Sequence, residues 1–263
     1  MTSIFELFRD PYERKARVTP GLLVAFPLMV PLLCVYGTKE PILTSLIGLF
    51  GTCGVLYALA SVTRGRGKKL EELLVKKWGG MPTTIILRHR DLHLDSISKQ
   101  RYHSAISAKL GITMPTLAEE ISSPASADDI YIGVTRRVRE LTRKNKQLLL
   151  KENIAYGFHR NMLAMKPVGI ISCLSGLFYG LLISGIWQFV PPYFEPINLA
   201  NTGLASEMTF LISLSTLAAW IFYFDEDAVR RMGFVYAERL FECLPSLTVK
   251  AQRGSKVKSP DES

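Results

Sequence analysis

The sequence predicts a mainly α membrane protein: four transmembrane helices with a mostly helical cytoplasmic domain between the second and the third. Three observations predict it. The run Pro167–Val190 contains no Asp, Glu, Lys or Arg, and as a helix rising about 1.5 Å per residue it extends about 36 Å, enough for a bilayer core of about 30 Å. Apolar residues make up 48% of the 263-residue chain, but they fall in blocks with the charges between them. Of the 32 Lys and Arg, only Lys39 falls on the far side of the predicted spans, so the positive-inside rule places both termini and the central polar block in the cytoplasm.

Taken in order, residues 1–17 mix Ile4, Phe5, Leu7 and Phe8 with Arg9, Arg14, Lys15 and Arg17. That composition suits either an interfacial segment lying on headgroups or a frayed basic tail. The first span, 18–37, contains Pro27 and Pro31. Each removes a helical hydrogen bond, which predicts a kink or a locally unwound turn. A tight turn at 37–40 and Pro41 lead into the second span, 41–63, where Gly48, Gly51, Gly54 and Ala58 offer a packing face. Residues 18–63 therefore read as a transmembrane hairpin.

The polar domain, 64–166, opens on Arg64–Lys69 and a helix ending near Trp78-Gly79-Gly80; Met81–Leu87 is short and β-prone. Asp95 and Gly111 bracket a helix over Ser96–Leu110 as N-cap and C-cap. Pro115 and Pro124 bracket a loop or a short helical turn, Leu117–Ile121. A longer helix starts near Ala127-Asp128-Asp129, with Ile130, Val134, Val138 and Leu141 at helical spacing. A further helix, about 147–165, leads into the third span, 167–190, with Pro167 at its first turn, where a missing N–H costs nothing. Ser172, Gly176, Gly180 and Ser184 recur along that span as a small-residue seam for helix packing. The fourth span, 207–224, completes a second hairpin, 167–224. Residues 225–263 start with Asp225-Glu226-Asp227, continue as an amphipathic helix to Leu244 and end in a disordered basic tail. Trp187 with Tyr193, and Trp220 with Tyr223, fit aromatic belts. Cys34, Cys53, Cys173 and Cys243 form no Cys-x-x-Cys pair and read as reduced packing residues. No cleavable signal peptide precedes the first apolar run.

The cations cluster at Arg88-His89-Arg90, Lys99 with Arg101, Arg136-Arg137 with Arg139, and Arg143-Lys144 with Lys146. One reading is a site for a polyanion such as a nucleotide or oligonucleotide, bound by Arg88, Arg90, Arg101, Arg136, Arg137, Arg139, Arg143 and Lys146, since the guanidinium fork matches phosphate. Tyr102, Tyr131, Tyr156 and Phe158 are then candidates to stack on bases. The other reading is attraction to anionic lipid, about 1 kcal/mol per cation near the surface. It accounts for Lys68, Lys69 and the tail better than for cations far from the spans.

In the fourth span Thr209, Ser213 and Thr216 share a helical face with Trp220 and Tyr223. Hydroxyl stripes of this kind either bond across helices or line a path. No span carries an ionisable residue at its centre, which argues against a proton-coupled transporter and is compatible with a passive, hydrophobically gated pore. Such a pore requires a symmetric ring of subunits, with Glu195 or Glu207 at one mouth and Asp225–Asp227 at the other. Asn153, Tyr156 and Arg160 lie on one helix near the membrane and form a candidate gating joint, or a site of close packing.

Several motifs fail. His89-Arg90-Asp91-Leu92 matches the start of a kinase catalytic loop, but position 96 is Ser and no glycine-rich loop accompanies it. His89 and His93 have metal spacing without a Glu in an HExxH pattern. Glu119-Glu120 and Asp128-Asp129 suit helix starts. The expectation is no enzyme, no metal and no cofactor.

The four spans, the Arg88–Arg90 and Arg136–Lys146 clusters and the Glu152–Asn161 joint together resemble the membrane effectors of bacterial nucleotide-signalled antiviral defence, and among them the channel effector of the Hailong system. The resemblance implies a homo-oligomeric ion channel in the bacterial inner membrane. Its cytoplasmic block would bind a cyclic nucleotide or DNA oligomer made by a neighbouring nucleotidyltransferase. The alternative is a non-enzymatic membrane scaffold that recruits a partner through the basic domain.

Overall fold

A computed structural model describes residues 9–36, 45, 56–143 and 149–246, and among them the secondary structure is helical with no strand. Among the described residues three helices are long and apolar enough to cross a membrane: Glu13–Val35, Leu150–Ile183 and Leu204–Phe222. The second predicted span, 41–63, lies mostly outside the described residues, as do Cys53, Lys144, Lys146 and the basic tail.

The chain divides into two compact units, residues 1–82 with 150–236, and residues 83–149 with 237–263. The cuts fall at 82/83 and 149/150 instead of at 63/64 and 166/167, because the helical stretches flanking the polar block pack with the spans.

In the first unit a π-helical turn, Glu13–Val18, runs into α1, Thr19–Tyr36. Residues 9–17 are no frayed tail: Ala16 is fully buried. The helix is not unwound at Pro27 or Pro31; the irregular turn lies upstream at the π segment. Helix α2, Leu56–Trp78, runs straight through the expected boundary at 63/64. It stops in a Schellman motif: Gly79 has φ 74°, Gly79 N–H bonds Lys76 O at 3.3 Å, and Gly80 N–H bonds Val75 O at 2.9 Å.

Met81–Leu87 contains a helical turn, α3 (Pro82–Ile85), not a strand. No neighbouring strand exists there for a ladder, and Pro82 suits a first helical position.

In the second unit α4, Ser96–Leu110, has the predicted caps: the Asp95 carboxylate accepts from Ser98 N–H, and Gly111 adopts a left-handed conformation. Helix α5, Leu117–Ser122, starts in a Thr116/Glu119 capping box. Helix α6 spans Pro124–Thr142 and buries Val134 and Val138 as expected, together with Tyr131. Ile86, Leu87, Ile106, Tyr131 and Val134 are buried in this unit's core.

Back in the first unit, α7 is a single helix of 34 residues, Leu150–Ile183. Pro167 therefore sits in a helix interior, on an exposed face, not at a first turn. The helix ends at Ile183, short of Val190. Gly185 at φ 71° reverses the chain, and the N–H groups of Ser184, Gly185 and Trp187 fold back onto the last carbonyls. After a 3₁₀ turn, Pro196–Asn201, comes α8, Leu204–Phe222. Then come α9, Glu226–Glu242, whose final residues belong to the second unit, and a 3₁₀ turn, Leu244–Ser246.

Contacts along these helices set their directions. Ala16 meets Asn161, Val24 meets Ser172 and Pro27 meets Gly176, so α1 and α7 run parallel. Gly169 faces Trp220, Gly176 faces Ser213 and Gly180 faces Phe210, so α8 is antiparallel to α7. Leu59 touches Gly21 and Gly67 touches Asn161, so α2 runs back along α1 toward the end where α1 began.

Candidate functional site

Three sets of polar residues stand out, and each is built by a different local requirement. The first is in the second unit, around Glu120. This side chain is only 2% exposed yet ionised. A buried carboxylate needs donors, and four reach it: Tyr131 OH at 2.6 Å, His89 N–H at 2.7 Å, Arg90 N–H at 3.2 Å and Arg90 Nη1 at 3.3 Å. Burial alone would push its acidity constant up, but these bonds and the Arg90 charge outweigh burial and hold it below the ordinary value. The Tyr131 phenol is pushed the other way, by burial and by its bond to Glu120, and stays neutral.

Asp128 completes the set. It takes two bonds from Arg88, Nε at 2.8 Å and Nη2 at 2.9 Å, and two from Arg90 Nη2. Behind them His103 Nε2–H donates to Leu87 O, 2.8 Å away, and its ring lies 4.9 Å from that of His89. Burial, with the nearby His89 and Lys99, keeps His103 below the ordinary histidine value.

Four of the eight cations of the predicted polyanion site, Arg88, Arg90, Arg137 and Arg139, bond to side chains of the protein itself. Arg88 and Arg90 are taken up by Glu120 and Asp128. Arg139 bonds Thr83 Oγ1 at 3.1 Å, and Arg137 pairs with Glu140. Arg101 is exposed and lies over its own neighbour, Tyr102. Arg136 and Arg143, seven residues apart on one face of α6, are exposed, and neither has a side-chain partner among the described residues. Lys146 lies outside the described residues. The base-stacking candidates Tyr102, Tyr131 and Tyr156 are buried and Phe158 is half-buried against other apolar groups, so none of the four is an open platform. A cleft of about 350 Å³ beside α5 and α6 is lined by Thr113, Met114, Ser122, Ser123, Ser126 and Ile130 among others, with no arginine on its wall. His89 and His93 do not converge: His89 Nε2 meets Pro115 O, and His93 pairs with Glu238. No group of three metal-ligating side chains occurs among the described residues.

The second set joins α1, α2 and α7 in the first unit. Arg160 Nη1 reaches Glu71 at 3.0 Å, and Tyr156 OH donates to the other Glu71 oxygen at 2.9 Å. Arg160 also holds Asn161 Oδ1, whose amide donates to Ala16 O at 2.5 Å. Two glycines make room: a Cβ on Gly67 would overlap Asn161, and one on Gly157 would lie 2.7 Å from Tyr12 Oη. Of the candidate joint, Tyr156 and Arg160 are in this network, and Asn153 is half-buried one turn away without a bond to it. Glu71 and Asn161 carried no sequence signal beyond the need of a buried Arg160 for a counter-charge. Nearby, Lys166 Nζ caps the end of α8 by donating to Ile221 O and Phe224 O. Glu226 accepts from Lys77 and from Trp78 Nε1, which together hold its carboxyl below the ordinary value. Asp225 accepts from Ala228 N–H. These acids therefore cap and pair at the start of α9.

The third set is the seam between spans. Ser172 Oγ donates to Val24 O at 2.5 Å. At Gly176 an added Cβ would lie 2.5 Å from Ser213 Oγ and 2.8 Å from Pro27 O, a carbonyl that Pro31 leaves without its helical donor. Gly180 meets the Phe210 ring, and Ser184, just past the helix end, bonds Leu181 O. Thr209, Ser213 and Trp220 are buried, and Thr216 bonds Ile212 O and contacts Cys173 Sγ. Within one copy this hydroxyl face is turned into helix packing. Trp220 packs on Gly169 and is no belt residue, whereas Trp187, Tyr193 and Tyr223 are exposed.

These features define a mainly α protein with three helices able to cross a membrane and a separate helical unit rich in charge. No family model, curated protein or solved structure matches the chain.

Proposed function

We propose that the chain is a subunit of an oligomeric, ligand-controlled membrane pore whose polar unit binds an anionic nucleotide or oligonucleotide, as an effector of bacterial anti-phage defence. The observation that carries this reading is the unbroken helix Leu150–Ile183. It follows the arginine-bearing α6 in the chain and enters the span without a break at Pro167, so a displacement at its start is delivered to the lipid-crossing part by a stiff rod. The Glu71–Arg160–Asn161 network grips that rod where it meets α1 and α2. A ligand moves such a gate only by its difference in affinity for the two states. The spans hold no central ionisable group, which suits passive flow, and the hydroxyls packed within one copy leave the path to a ring of copies.

The ligand face of this proposal is narrower than the eight expected cations: Arg136 and Arg143, with Arg137 beside them. The test is ion flux from liposomes bearing the purified protein, titrated with cyclic and linear oligonucleotides. Arg136→Glu and Arg143→Glu should each shift the half-maximal ligand concentration about tenfold or more, one charge-assisted phosphate contact, with insertion unchanged. Unaltered response in both removes this site.

Absence of flux under every ligand would favour the scaffold reading. That alternative draws on one observation: Arg88 and Arg90 are neutralised internally by Glu120 and Asp128, which leaves fewer cations for a ligand. A nucleotidyltransferase encoded beside this chain would favour the pore.

A further inference from the structure

We infer that residues 186–204 form a wedge seated in the lipid interface at the end of the bundle opposite the cations, instead of a loop in water. The inference rests on α7 and α8 crossing the membrane. The segment joins the end of one to the start of the other, so it lies where the chain emerges from lipid. Phe189, Val190, Phe194, Ile197 and Leu199 are each between 62% and 80% exposed. Five large apolar side chains this exposed within eleven residues are unusual on a protein face that meets only water.

The backbone is prepared for a poorly hydrated place. Gln188 N–H donates to Tyr193 O at 3.0 Å and Glu195 N–H to Ile186 O at 2.9 Å, pairing the two arms of a hairpin at Trp187 and Phe194. The Gln188 and Asn198 amides both donate to Gly185 O. These bonds satisfy part of the loop's backbone internally while its large apolar side chains stay exposed, the combination that irregular backbone near lipid needs. Trp187 is fixed edge-on against Phe178 of α7, with ring centroids 5.8 Å apart, and Trp and Tyr favour headgroup depth. No Lys or Arg occurs from 184 to 206, which speaks against an anionic partner. The opposite end of the bundle carries Arg66 and Lys166 on the carbonyls of Ala164, Ile221 and Phe224.

The test uses the full chain in phosphatidylcholine vesicles and takes the Trp187 signal as the difference between wild type and Trp187→Phe. The expected result is blue-shifted emission, weak quenching by iodide, and stronger quenching by lipid brominated near the headgroup than near the chain end. Phe189→Glu combined with Ile197→Glu should shift the emission to the red and restore iodide quenching. Full iodide quenching in wild type overturns the wedge. So does shielding from both iodide and brominated lipid, the mark of a contact between copies. Leu214→Trp in the Trp187→Phe background reports the span itself: if deep bromine fails to quench it, the spanning reading falls and the wedge falls with it.

Discussion

Glu120 shows how single residues here are held by distant partners. Its four donors come from positions 11 to 31 residues away, and the one arginine among them, Arg90, reads by sequence as a free cation. Removing its carboxylate leaves the Tyr131 hydroxyl and the N–H groups of His89 and Arg90 without this acceptor, and the Arg90 guanidinium with Asp128 alone. We expect Glu120→Ala to destabilise the second unit by about 3 kcal/mol, read by urea unfolding of the detergent-solubilised chain, with the helices of the first unit still protected from hydrogen exchange. A loss under about 0.5 kcal/mol, the range of an ordinary surface change, would contradict the network. His103 adds a pH dependence of known sign. Its folded value is held below the ordinary histidine value of 6.5 by burial, with Lys99 and His89 facing it and Glu120 opposing them. The unfolded chain then binds the extra proton, so the contribution is complete above about 6.5 and is lost as pH falls. Unfolding midpoints should drop between about pH 7 and 5, and less so in His103→Gln, whose amide keeps a donor for Leu87 O. A flat profile in the wild type would contradict this.

At the scale of elements, what was legible depended on whether the determinant was local. The bounds of Ser96–Leu110 were readable because Asp95 and Gly111 set them within one turn; for Leu117–Ser122 only the bracketing prolines were read, and the Thr116/Glu119 capping box emerged from the structure. Thr116→Ala should therefore cost about 1 kcal/mol, measurable as lost exchange protection in α5. The end of the third span was not readable. Apolarity continues to Val190, and only the reversal at Gly185 with its backbone bonds stops the helix at Ile183. Composition cannot separate an apolar helix from an apolar loop. Nor could it separate a pore-lining hydroxyl from one packed between helices: Ser213 and Thr209 lie against neighbours that only the fold brings near. Met81–Leu87 read as β from its Thr and Ile residues, but that propensity needs a partner strand. The seam makes a further prediction. A side chain at Gly169 would overlap Trp220, so Gly169→Val should cost about 1–3 kcal/mol by overpacking, seen as a lower melting temperature in detergent, whereas Gly65→Ala, with open space around its Cβ position, should not.

For the whole molecule the issue is which end of each helix shares a side. Helices α1 and α7 run parallel, and α2 returns along α1 until Gly67 reaches Asn161, beside Ala16 at the start of α1. The chain that leaves α1 at Tyr36 has come most of the way back by Leu59, which touches Gly21. We propose from this that an even number of crossings precedes the polar unit; positions 37–44 and 46–55, where the second would lie, are outside the described residues. It also agrees with the cations gathering at one end of the bundle, where Arg160 and Lys166 hold α7 to its neighbours.

Site-directed reporter fusions in bacterial cells test this central claim most directly, placed after residues 9, 92, 190 and 246. The account predicts that 9, 92 and 246 report the cytoplasm and 190 the opposite compartment. Residues 9 and 92 on opposite sides, as three crossings would give, would contradict it.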